Sequence, residues 1–251
     1  MSGGSFEVIA DFWDEQVGEE GDAFHRLLVR PALFRVLGEV AGLDVLDLGC
    51  ANGATSRALA DLGARVTGVD ISPRLIEHAR RREAARPRGV RYMVGDAAHL
   101  PELPDASFDR ITASMVLMDL EDAAGAIREA ARLLRPGGRL VATLFHPCFQ
   151  IPDGSSWLIE RAVVDEQISV RVWRYREPSR TETVAKVDQP APTVHYHRPL
   201  DWYASRLVES GLLIDALHEA YPDDAFAEHF PEAARRLSVI PGILVIGARK
   251  V

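Results

Sequence analysis

The sequence predicts an α/β fold in which a doubly wound parallel sheet is covered by helices on both faces. From residue 43 onward, short apolar runs alternate with longer amphipathic runs. Strands and helices that alternate in this way need right-handed crossovers, which place successive strands parallel in one sheet. The length of 251 residues and the hydrophobic share of 47% fit one domain of this class. We therefore expect residues 1–251 to form a single domain.

The N-terminal residues 5–42 are predicted to form a helical cap. Phe6, Ile9 and Trp13 follow one another at spacings of three and four residues, which places them on one face of a helix. A second apolar stretch follows over residues 24–37. Because proline lacks a backbone N–H and its ring crowds the preceding turn, we expect Pro31 to break this stretch into two helices.

The core of the predicted sheet spans residues 43–146. Its expected strands are residues 43–48, 65–70, 90–94, 108–113 and 139–145, and its expected helices are residues 54–62, 73–85 and 122–134. Pro136, Gly137 and Gly138 are expected to end the third helix and turn the chain into the fifth strand.

The alternation of strands and helices stops after the fifth strand. Residues 147–199 are rich in proline and contain an alternating run over residues 168–175, which is typical of an exposed antiparallel strand. We therefore predict a lid insertion here. Residues 200–251 are expected to complete the sheet, with a helix over 199–210, strands over 212–219 and 243–246, an acidic loop over 221–224 and a short helix near 231–237.

Composition and charge restrict the expected partners. The formal net charge of −8 is opposite in sign to what phosphate binding requires, so we expect no nucleic-acid partner. No apolar run approaches the roughly 18 residues that span a bilayer, and the first residues lack a basic and apolar leader. We therefore expect a cytoplasmic monomer or homodimer without membrane association. With Cys50 and Cys148 as the two cysteines, neither a disulfide framework nor a structural zinc site is expected.

A glycine-containing loop lies between the first strand and the first helix of the core. Gly49 and Gly53 permit a ligand to approach the backbone, but their G-x-x-x-G spacing differs from the G-x-G-x-x-G of dinucleotide sites, which disfavours a nicotinamide oxidoreductase. Asp47, Asp70 and Asp96 end three successive strands, where ligands of open α/β sheets bind. Asp47 would attract an ammonium group, Asp70 would accept hydrogen bonds from a ribose diol, and Asp96 would receive an exocyclic amine.

Taken in order, these segments resemble the class I S-adenosylmethionine-dependent methyltransferases. The resemblance rests on residues 46–53 for the first motif, 68–72 for the ribose-binding motif, 95–97 for the adenine motif, 108–109 with 114–117 for the fourth motif, and 134–138 for the turn before the fifth strand. It covers about residues 40–146. It implies a Rossmann-like, seven-stranded sheet whose last strand is antiparallel, with S-adenosylmethionine as the cofactor. Ala51 departs from the pattern, because many members have a second glycine there.

The resemblance also implies which residues hold the cofactor. In the core these are Asp47, Gly49, Cys50, Ala51, Asn52, Gly53, Asp70, Ile71, Asp96, Ala97 and Ser114. N-terminal helices often close over the methionine end of the cofactor in this family, so Trp13, Arg26 and Arg30 are added, one arginine as the partner of the carboxylate. No metal is expected.

The expected reaction is methyl transfer to a small-molecule acceptor in secondary metabolism, most simply to a hydroxyl. Such a hydroxyl must lose its proton, for which histidine is suited. His146 at the end of the fifth strand, and His195 and His197 at the end of the lid, are the candidate bases, and Tyr196 and Trp173 are candidate substrate contacts. Purely structural histidines, N- or C-methylation, and a protein of the same fold that binds the cofactor without methyl transfer remain alternatives.

Overall fold

The computed structural model describes residues 4–161 and 166–251, which form a mostly parallel sheet covered by helices. The strands are β1 (Asp44–Leu48), β2 (Arg65–Asp70), β3 (Arg91–Val94), β4 (Phe108–Ser114), β5 (Leu134–Phe145), β6 (Ser155–Arg161), β7 (Glu166–Val172), β8 (Ser179–Thr183), β9 (Thr193–His197), β10 (Leu212–Glu219) and β11 (Ile243–Lys250). Seven of them form one sheet in the order β10-β11-β5-β4-β1-β2-β3. Strands β1 to β5 pair in parallel, and β11 runs antiparallel to both of its neighbours, which confirms the predicted fold class.

Helices cover both faces of this sheet. They are α1 (Gly4–Val8), α2 (Ala10–Val17), α3 (Arg30–Leu37), α4 (Ala54–Asp61), α5 (Pro73–Ala85), α6 (Ala123–Leu133), α7 (Leu200–Glu209), α8 (Asp224–His229) and α9 (Pro231–Leu237), and a π-helical turn, His25–Val29, precedes α3. The core on one face contains Ile127 of α6 and Leu207 of α7. The core on the other face contains Leu33, Leu59 and Ile76, from α3, α4 and α5.

Strand β1 shows how the sequence pattern positions the loop that follows it. Val45 and Leu46 are both fully buried but belong to opposite cores, because side chains alternate across a strand. At the carboxyl end of β1, Leu48 pairs with Val69 of β2 on one side and Ala113 of β4 on the other. The loop after β1 therefore lies beside the ends of two neighbouring strands, the usual ligand position in such sheets.

Several predicted boundaries are confirmed. Strands β2 and β10 and helices α5 and α9 have the expected ranges. Strand β5 begins at Leu134 rather than at residue 139, because its pairing with β4 already starts there. The Pro136-Gly137-Gly138 segment lies in an irregularity of this pairing. Strand β11 continues to Lys250, beyond the apolar run that predicted it.

The expected helix break at Pro31 is wrong. Pro31 lies in the first turn of α3, directly after the π-helical turn. The backbone N–H of Arg30 donates to the carbonyl of His25, the longer bond of a π-helix. Because a proline in the first turn of a helix needs no N–H partner, the change from π to α at this point accommodates it without interrupting the helix.

The segment predicted as an acidic loop also begins a helix. Asp223 caps α8, because its Oδ1 accepts a hydrogen bond from the backbone N–H of Phe226 over 2.9 Å. Phe226 is fully buried in the core beneath. Aspartate is a favoured N-cap residue, so the sequence carries a signal for α8 that the prediction of a loop does not use.

The segment predicted as a lid contains two antiparallel hairpins. Strand β6 pairs with β7, and β8 pairs with β9. Strand β7 overlaps the predicted alternating run of residues 168–175 from residue 168 to Val172, so an antiparallel strand is confirmed over that part of the run. The division of the chain into cap, core, lid and C-terminal part stays a prediction. Among the helices of residues 4–161 and 166–251, none is both long and apolar enough to cross a bilayer.

Candidate active site

The main cavity lies at the carboxyl edge of the parallel strands. Its volume is about 970 Å³, at the upper end of the roughly 300–1,000 Å³ that is usual for ligand sites. The loop after β1, the ends of β2 to β5, the N-terminal helices and both hairpins line it. A cavity of this size has room for a cofactor and a second molecule.

Glycine shapes the loop after β1 at two positions. Gly49 has a φ of +65°, and a Cβ there would collide with the side chain of Val116. Gly53 has a φ of +83°, and a Cβ there would collide with Tyr92. Ala51 also has a positive φ, of 47°, which costs an L-residue about 1–2 kcal/mol. Gly49 and Ala51 line the cavity, whereas Gly53 lies outside its lining and serves the turn itself.

Asp47 lies in β1, two residues before Gly49, and its carboxylate is bonded to two neighbouring elements. Its Oδ2 accepts a hydrogen bond from Ser56 Oγ over 2.6 Å, and its Oδ1 accepts one from Thr112 Oγ1 over 2.8 Å. Burial raises the pKa of Asp47 to about 6, against the two hydrogen bonds, and the charge of Asp70 adds to this increase. Asp47 therefore links α4 to β4 under the loop while also reaching the cavity wall.

Asp70 is the last residue of β2, and Asp96 lies shortly after the end of β3. Both positions agree with the sequence prediction. Asp70 accepts hydrogen bonds from the backbone N–H groups of Ala51 and Ser72, each over 2.9 Å. Burial raises the pKa of Asp70 although these bonds act in the opposite direction. Asp96 Oδ1 accepts from the N–H of Ala98 over 2.9 Å. Both carboxylates line the cavity, and carboxylate oxygens can accept further hydrogen bonds from a ligand.

Asn52 presents a buried acceptor atom without a partner. Its Nδ2 donates to Asp14 Oδ1 and to the carbonyl of Gly18, each over 2.9 Å. Its Oδ1 is buried and has no hydrogen-bond partner among residues 4–161 and 166–251. Such an atom is costly unless a ligand supplies a donor, and Asn52 lines the cavity. The remaining predicted core residues Cys50, Ile71, Ala97 and Ser114 line it as well.

The N-terminal helices bring two of their three predicted residues to the cavity. Trp13 and Arg30 line it, and Arg30 Nη1 donates to the carbonyl of Glu20 over 2.7 Å. Burial lowers the pKa of Arg30. Arg26 lies outside the lining, with Nη1 at 3.3 Å from Glu20 Oε2.

An ion pair between the cap and the second hairpin is absent from the sequence prediction. Lys186, in the loop between β8 and β9, places Nζ 2.9 Å from Asp22 Oδ2 and 5.5 Å from the centre of the Trp13 ring. Burial alone would raise the pKa of Asp22, but His25 and Lys186 outweigh it and lower that pKa. Because Asp22 and Lys186 lie 164 residues apart, no local pattern could have linked them.

Two of the three candidate histidines lie outside the main cavity. His146 Nε2 is 3.2 Å from Glu219 Oε1, and its backbone N–H donates to the carbonyl of Gly242. His197 Nε2 donates to the carbonyl of Tyr175 over 2.7 Å. Burial lowers the pKa of both imidazoles. These contacts join the two imidazoles to other segments of the chain, and neither imidazole lies on the wall of the main cavity.

His195 is the candidate histidine that lines the main cavity. Its Nδ1 lies 2.6 Å from Asp119 Oδ1, and its Nε2 lies 3.3 Å from Thr193 Oγ1. Burial raises the pKa of Asp119, while His195 acts in the opposite direction. The sequence prediction does not include Asp119. Its position two residues after the fourth motif was a signal that it lies near the ligand edge of the sheet, but not that it meets His195.

The two predicted substrate contacts also lie away from this cavity. Tyr196 lines a side cavity of about 20 Å³, and the Arg198 guanidinium lies 5.2 Å from the centre of its ring. Trp173 is 53% exposed and lines neither cavity. Phe145 and Trp157 provide the aromatic wall instead, one from the end of β5 and the other from the first hairpin.

Comparison with known proteins identifies the family. Residues 46–142 match a family model described as a methyltransferase domain. The crystal structure of an S-adenosylmethionine-dependent methyltransferase from Mesorhizobium loti is 31% identical, with a TM-score of 0.74 over 91% of this chain and 98% of that one. This chain belongs to the S-adenosylmethionine-dependent methyltransferases.

Curated relatives of this methyltransferase match over part of their length. A demethylmenaquinone methyltransferase from Tropheryma whipplei is 43% identical over 119 residues, which cover 47% of this chain and 48% of the relative. A ubiquinone biosynthesis O-methyltransferase from Xanthomonas oryzae pv. oryzae is 34% identical over 135 residues, which cover 54% of this chain and 56% of the relative. The chain spans about half the length of these relatives.

The polar groups of the cavity fit the cofactor of this family. S-adenosylmethionine carries donors in its ammonium group, its ribose hydroxyls and its adenine amine. Asn52, whose Oδ1 has no partner among the described residues, lines the cavity together with Asp70 and Asp96, whose carboxylates are acceptors, and Arg30 is a cation for a carboxylate. In the part of the chain that the structure describes, no three or more His, Cys, Asp or Glu residues are grouped to hold a metal ion.

Helix α5 of this methyltransferase carries three consecutive arginines, residues 80–82, and hydrogen bonds within the chain hold two of them. Arg80 Nη2 donates to the carbonyl of Tyr92 over 2.9 Å, and Arg82 Nη2 donates to Asp14 Oδ2 over 3.0 Å. These guanidinium groups connect α5 to β3 and to the cap, so their clustering in the sequence has a structural explanation.

Proposed function

We propose that this protein transfers a methyl group from S-adenosylmethionine to a hydroxyl of a small-molecule acceptor. S-adenosylmethionine supplies an electrophilic methyl group bonded to a sulfonium. The observation that carries the proposal is a single cavity lined by the strand-end carboxylates Asp70 and Asp96 and also by His195 with Asp119. The groups suited to hold a cofactor and the group suited to take a proton therefore share one space.

The chain's own residues bind and orient the cofactor in this proposal. Asp70 accepts hydrogen bonds from the ribose diol, and Asp96 accepts one from the exocyclic amine. Asn52 Oδ1 accepts from the ammonium group, and Arg30 pairs with the carboxylate. Asp70 is already oriented by the backbone N–H groups that it receives, so ordering it on binding costs little entropy.

Aromatic and apolar walls exclude water from the reacting atoms. Methyl transfer from a sulfonium disperses charge, so positioning and desolvation contribute more than strong electrostatic stabilisation. Phe145 and Trp157 line one part of the cavity, and Trp13 lines another. In this proposal the N-terminal helices form a cap and the hairpins form a lid that close over both ligands within one domain, as a monomer or a homodimer.

His195 removes the proton of the acceptor hydroxyl. It is the sequence-predicted base that lines the cavity, whereas His146 and His197 contact Glu219 and Tyr175 elsewhere. The name of the Xanthomonas relative specifies O-methylation, which supports an oxygen acceptor here. N- or C-methylation is the competing outcome.

Two measurements test the proposal. Calorimetry with S-adenosylhomocysteine should show binding to the whole chain, and NAD should bind more weakly. A labelled-methyl assay over phenols, alcohols, amines and carboxylic acids should give a product with a hydroxyl acceptor, with S-adenosylhomocysteine formed only when an acceptor is present. Binding without any labelled product would indicate a cofactor-binding protein, and a labelled amine alone would exclude the hydroxyl.

A further inference from the structure

Resting on the proposed function, we infer that the acceptor carries an extended apolar chain, which lies on one face of the first hairpin while the reacting hydroxyl lies in the cavity. Strands β6 and β7 form this hairpin. They lie outside residues 46–142, which match the family model, and the names of the relatives assign no role to them.

The register of the first hairpin places apolar side chains on one of its two faces. Residues that pair directly across two strands share a face, and successive residues along a strand alternate between faces. Trp157 pairs with Val170, and Ile159 pairs with Ile168. Val172 lies two residues beyond Val170 on the same face. We call these five residues the apolar strip.

The opposite face of the hairpin is mostly polar. Its directly paired residues are Ser156 with Arg171, Leu158 with Ser169, and Glu160 with Gln167. Leu158 is the single apolar side chain among these six, whereas the apolar strip contains no charged residue. A hairpin that was exposed to water on both faces would not need this difference. The pattern therefore indicates that a ligand or another part of a complex covers the strip.

The apolar strip begins inside the main cavity. Trp157 lines the cavity, as does Ser155 on the same face of β6. The guanidinium of Arg236, on α9, lies 5.6 Å from the centre of the Trp157 ring, so this end of the strip also contacts the helices. Ile159 follows on the same face about 7 Å further along the strand and lies outside the cavity lining. The cavity wall and the strip therefore form one continuous surface.

The outer part of the strip is incompletely covered by the described chain. Ile159 is 39% exposed and Val172 is 36% exposed, while Ile168 and Val170 are half-buried. Contact between such side chains and water is unfavourable, and an apolar chain placed on them removes apolar surface from water on both partners. A ligand that fills the cavity and continues outward along β6 would cover what the protein leaves exposed.

The acceptor is the ligand whose position allows it to extend in this direction. Asp70 and Asp96, which suit the cofactor, follow β2 and β3, and these strands lie beyond β4 and β1 from β5. The ring of His195 lies 5.9 Å from that of Phe145, the last residue of β5. A hydroxyl that meets His195 is therefore on the β5 side of the cavity, and the first hairpin follows β5 in the chain. The rest of the acceptor can run outward along the strip.

The test uses the whole chain with S-adenosylhomocysteine bound and four probe acceptors: 4-methylcatechol, 4-ethylcatechol, 4-butylcatechol and 4-hexylcatechol. Their hydroxyls are alike, so the length of the apolar chain is what varies. Calorimetry should show a dissociation constant that falls by about two- to fourfold for each added methylene, the upper value being that of a fully buried one. In a labelled-methyl assay with S-adenosylmethionine, KM should fall in parallel while kcat changes little.

Ile159→Ser and Leu158→Ser are a matched pair of variants. The two residues are neighbours with nearly equal exposure, 39% and 41%, but they lie on opposite faces of the hairpin. Ile159→Ser should weaken binding of 4-hexylcatechol by about three- to tenfold and leave 4-methylcatechol nearly unchanged. Leu158→Ser should affect neither probe. The affinity for S-adenosylhomocysteine should stay at the wild-type value in both variants.

NMR of isoleucine methyl groups provides a readout that does not depend on turnover. In protein with ¹³C-labelled isoleucine methyls and bound S-adenosylhomocysteine, the signals of Ile159 and Ile168 should shift when 4-hexylcatechol is added. The same signals should move much less with 4-methylcatechol, because its substituent ends within the cavity. This comparison separates contact with the strip from a general change in the hairpin.

Several results would overturn the inference. Equal affinity across the four probes would do so, as would equal losses in Ile159→Ser and Leu158→Ser, or no binding of any probe to the complex with S-adenosylhomocysteine. Dimerisation or binding to neutral lipid vesicles that is lost in Ile159→Ser, together with equal affinity for the probes, would assign the strip to a second copy or a bilayer instead. A failure of the proposed function is a different result, in which S-adenosylhomocysteine does not bind or no acceptor of any class is methylated.

Discussion

Asp47 is a buried carboxylate whose neighbours offset only part of the cost of its charge. Its two hydroxyl donors, Ser56 and Thr112, are neutral, and the nearest charge acting on it, that of Asp70, is of the same sign. Burial raises the pKa of Asp47 to about 6, above the value of about 3.9 in an unfolded chain. The folded state therefore binds a proton at pH values where the unfolded state has released it.

This difference gives Asp47 a pH-dependent effect on stability. Its contribution is fully favourable below about pH 4 and is lost as the pH rises through about 6. We expect Asp47→Asn to be more stable than wild type at pH 7 by up to about 2–3 kcal/mol, since an amide can accept from one hydroxyl and donate to the other. Urea unfolding at several pH values measures it, with Asp61→Asn on the surface as control. A difference between variant and wild type that does not change from pH 4 to 7 would contradict the assignment.

Asp70 is predicted to bind the ribose of the cofactor. Replacing it by Ala should weaken S-adenosylhomocysteine binding by about 1.5–3 kcal/mol, the range for hydrogen bonds to a charged group. Because Asp70 also receives the N–H groups of Ala51 and Ser72, Asp70→Asn is a second variant that preserves the side-chain shape. Calorimetry of both variants decides the matter, with Asp61→Ala as control. Wild-type affinity in Asp70→Ala would remove the ribose assignment.

At the scale of elements, the core could be predicted because its signals are local. Strand β2 and helix α5 carry their periodicity and their capping residues within a single segment, and Ser72 caps α5 as its sequence position suggests. The position of the three carboxylates at the cavity follows from the same local signals, since Asp70 ends β2, Asp47 lies one residue before the end of β1, and Asp96 follows β3 by two residues. The pairs Asp119 with His195 and Asp22 with Lys186 bring distant segments together, so periodicity and spacing carry no information about them.

The cap is attached to α5 by a row of charged contacts. Glu7, Asp11 and Asp14 of the cap lie opposite Ser72, Arg74, His78 and Arg82, at the start of α5 and along it. The two ends of the row differ in burial. Arg74 and Asp11 have side chains 54% and 57% exposed, while Arg82 and Asp14 are 24% and 12% exposed. The carboxylate of Asp14 also accepts a hydrogen bond from Asn52 Nδ2, in the loop after β1, so the buried end of the row connects the cap to the candidate site.

We expect the two arginines to differ in their effect on stability. Arg82→Gln should lower the free energy of unfolding by about 1–2 kcal/mol, because a partly buried carboxylate loses its charged partner. Arg74→Gln should cost less than about 0.5 kcal/mol, since exposed ion pairs contribute little. Urea unfolding of both variants measures this, and hydrogen exchange should show faster opening of residues 5–17 in Arg82→Gln. Equal losses in the free energy of unfolding for the two variants would show that burial does not determine how much each ion pair contributes.

At the scale of the whole molecule, two bodies, the cap and the loop between β8 and β9, meet at the wall of the cavity. The cap brings Trp13 and Asp22, and the loop between β8 and β9 brings Lys186. Strand β9 itself is bonded to the core through Tyr196 and Met118. Opening of the cavity is therefore expected at the contact between Lys186 and the cap, with β9 staying in place.

Lys186→Met should loosen this closure without unfolding the sheet. The variant keeps a long apolar side chain but loses the ion pair with Asp22 and the cation–π contact with Trp13. For a partly buried pair these contribute about 1 kcal/mol, which corresponds to about fivefold faster local opening. Hydrogen exchange without ligand should show this increase in residues 20–30 and 184–192 but not in β9, and S-adenosylhomocysteine with an acceptor should reduce it. Lys250→Met is the matched control, because its Nζ donates to the carbonyl of Leu134, far along the chain from both bodies. Faster exchange throughout the sheet in Lys186→Met, or none in the cap, would show that this ion pair does not hold the cavity closed.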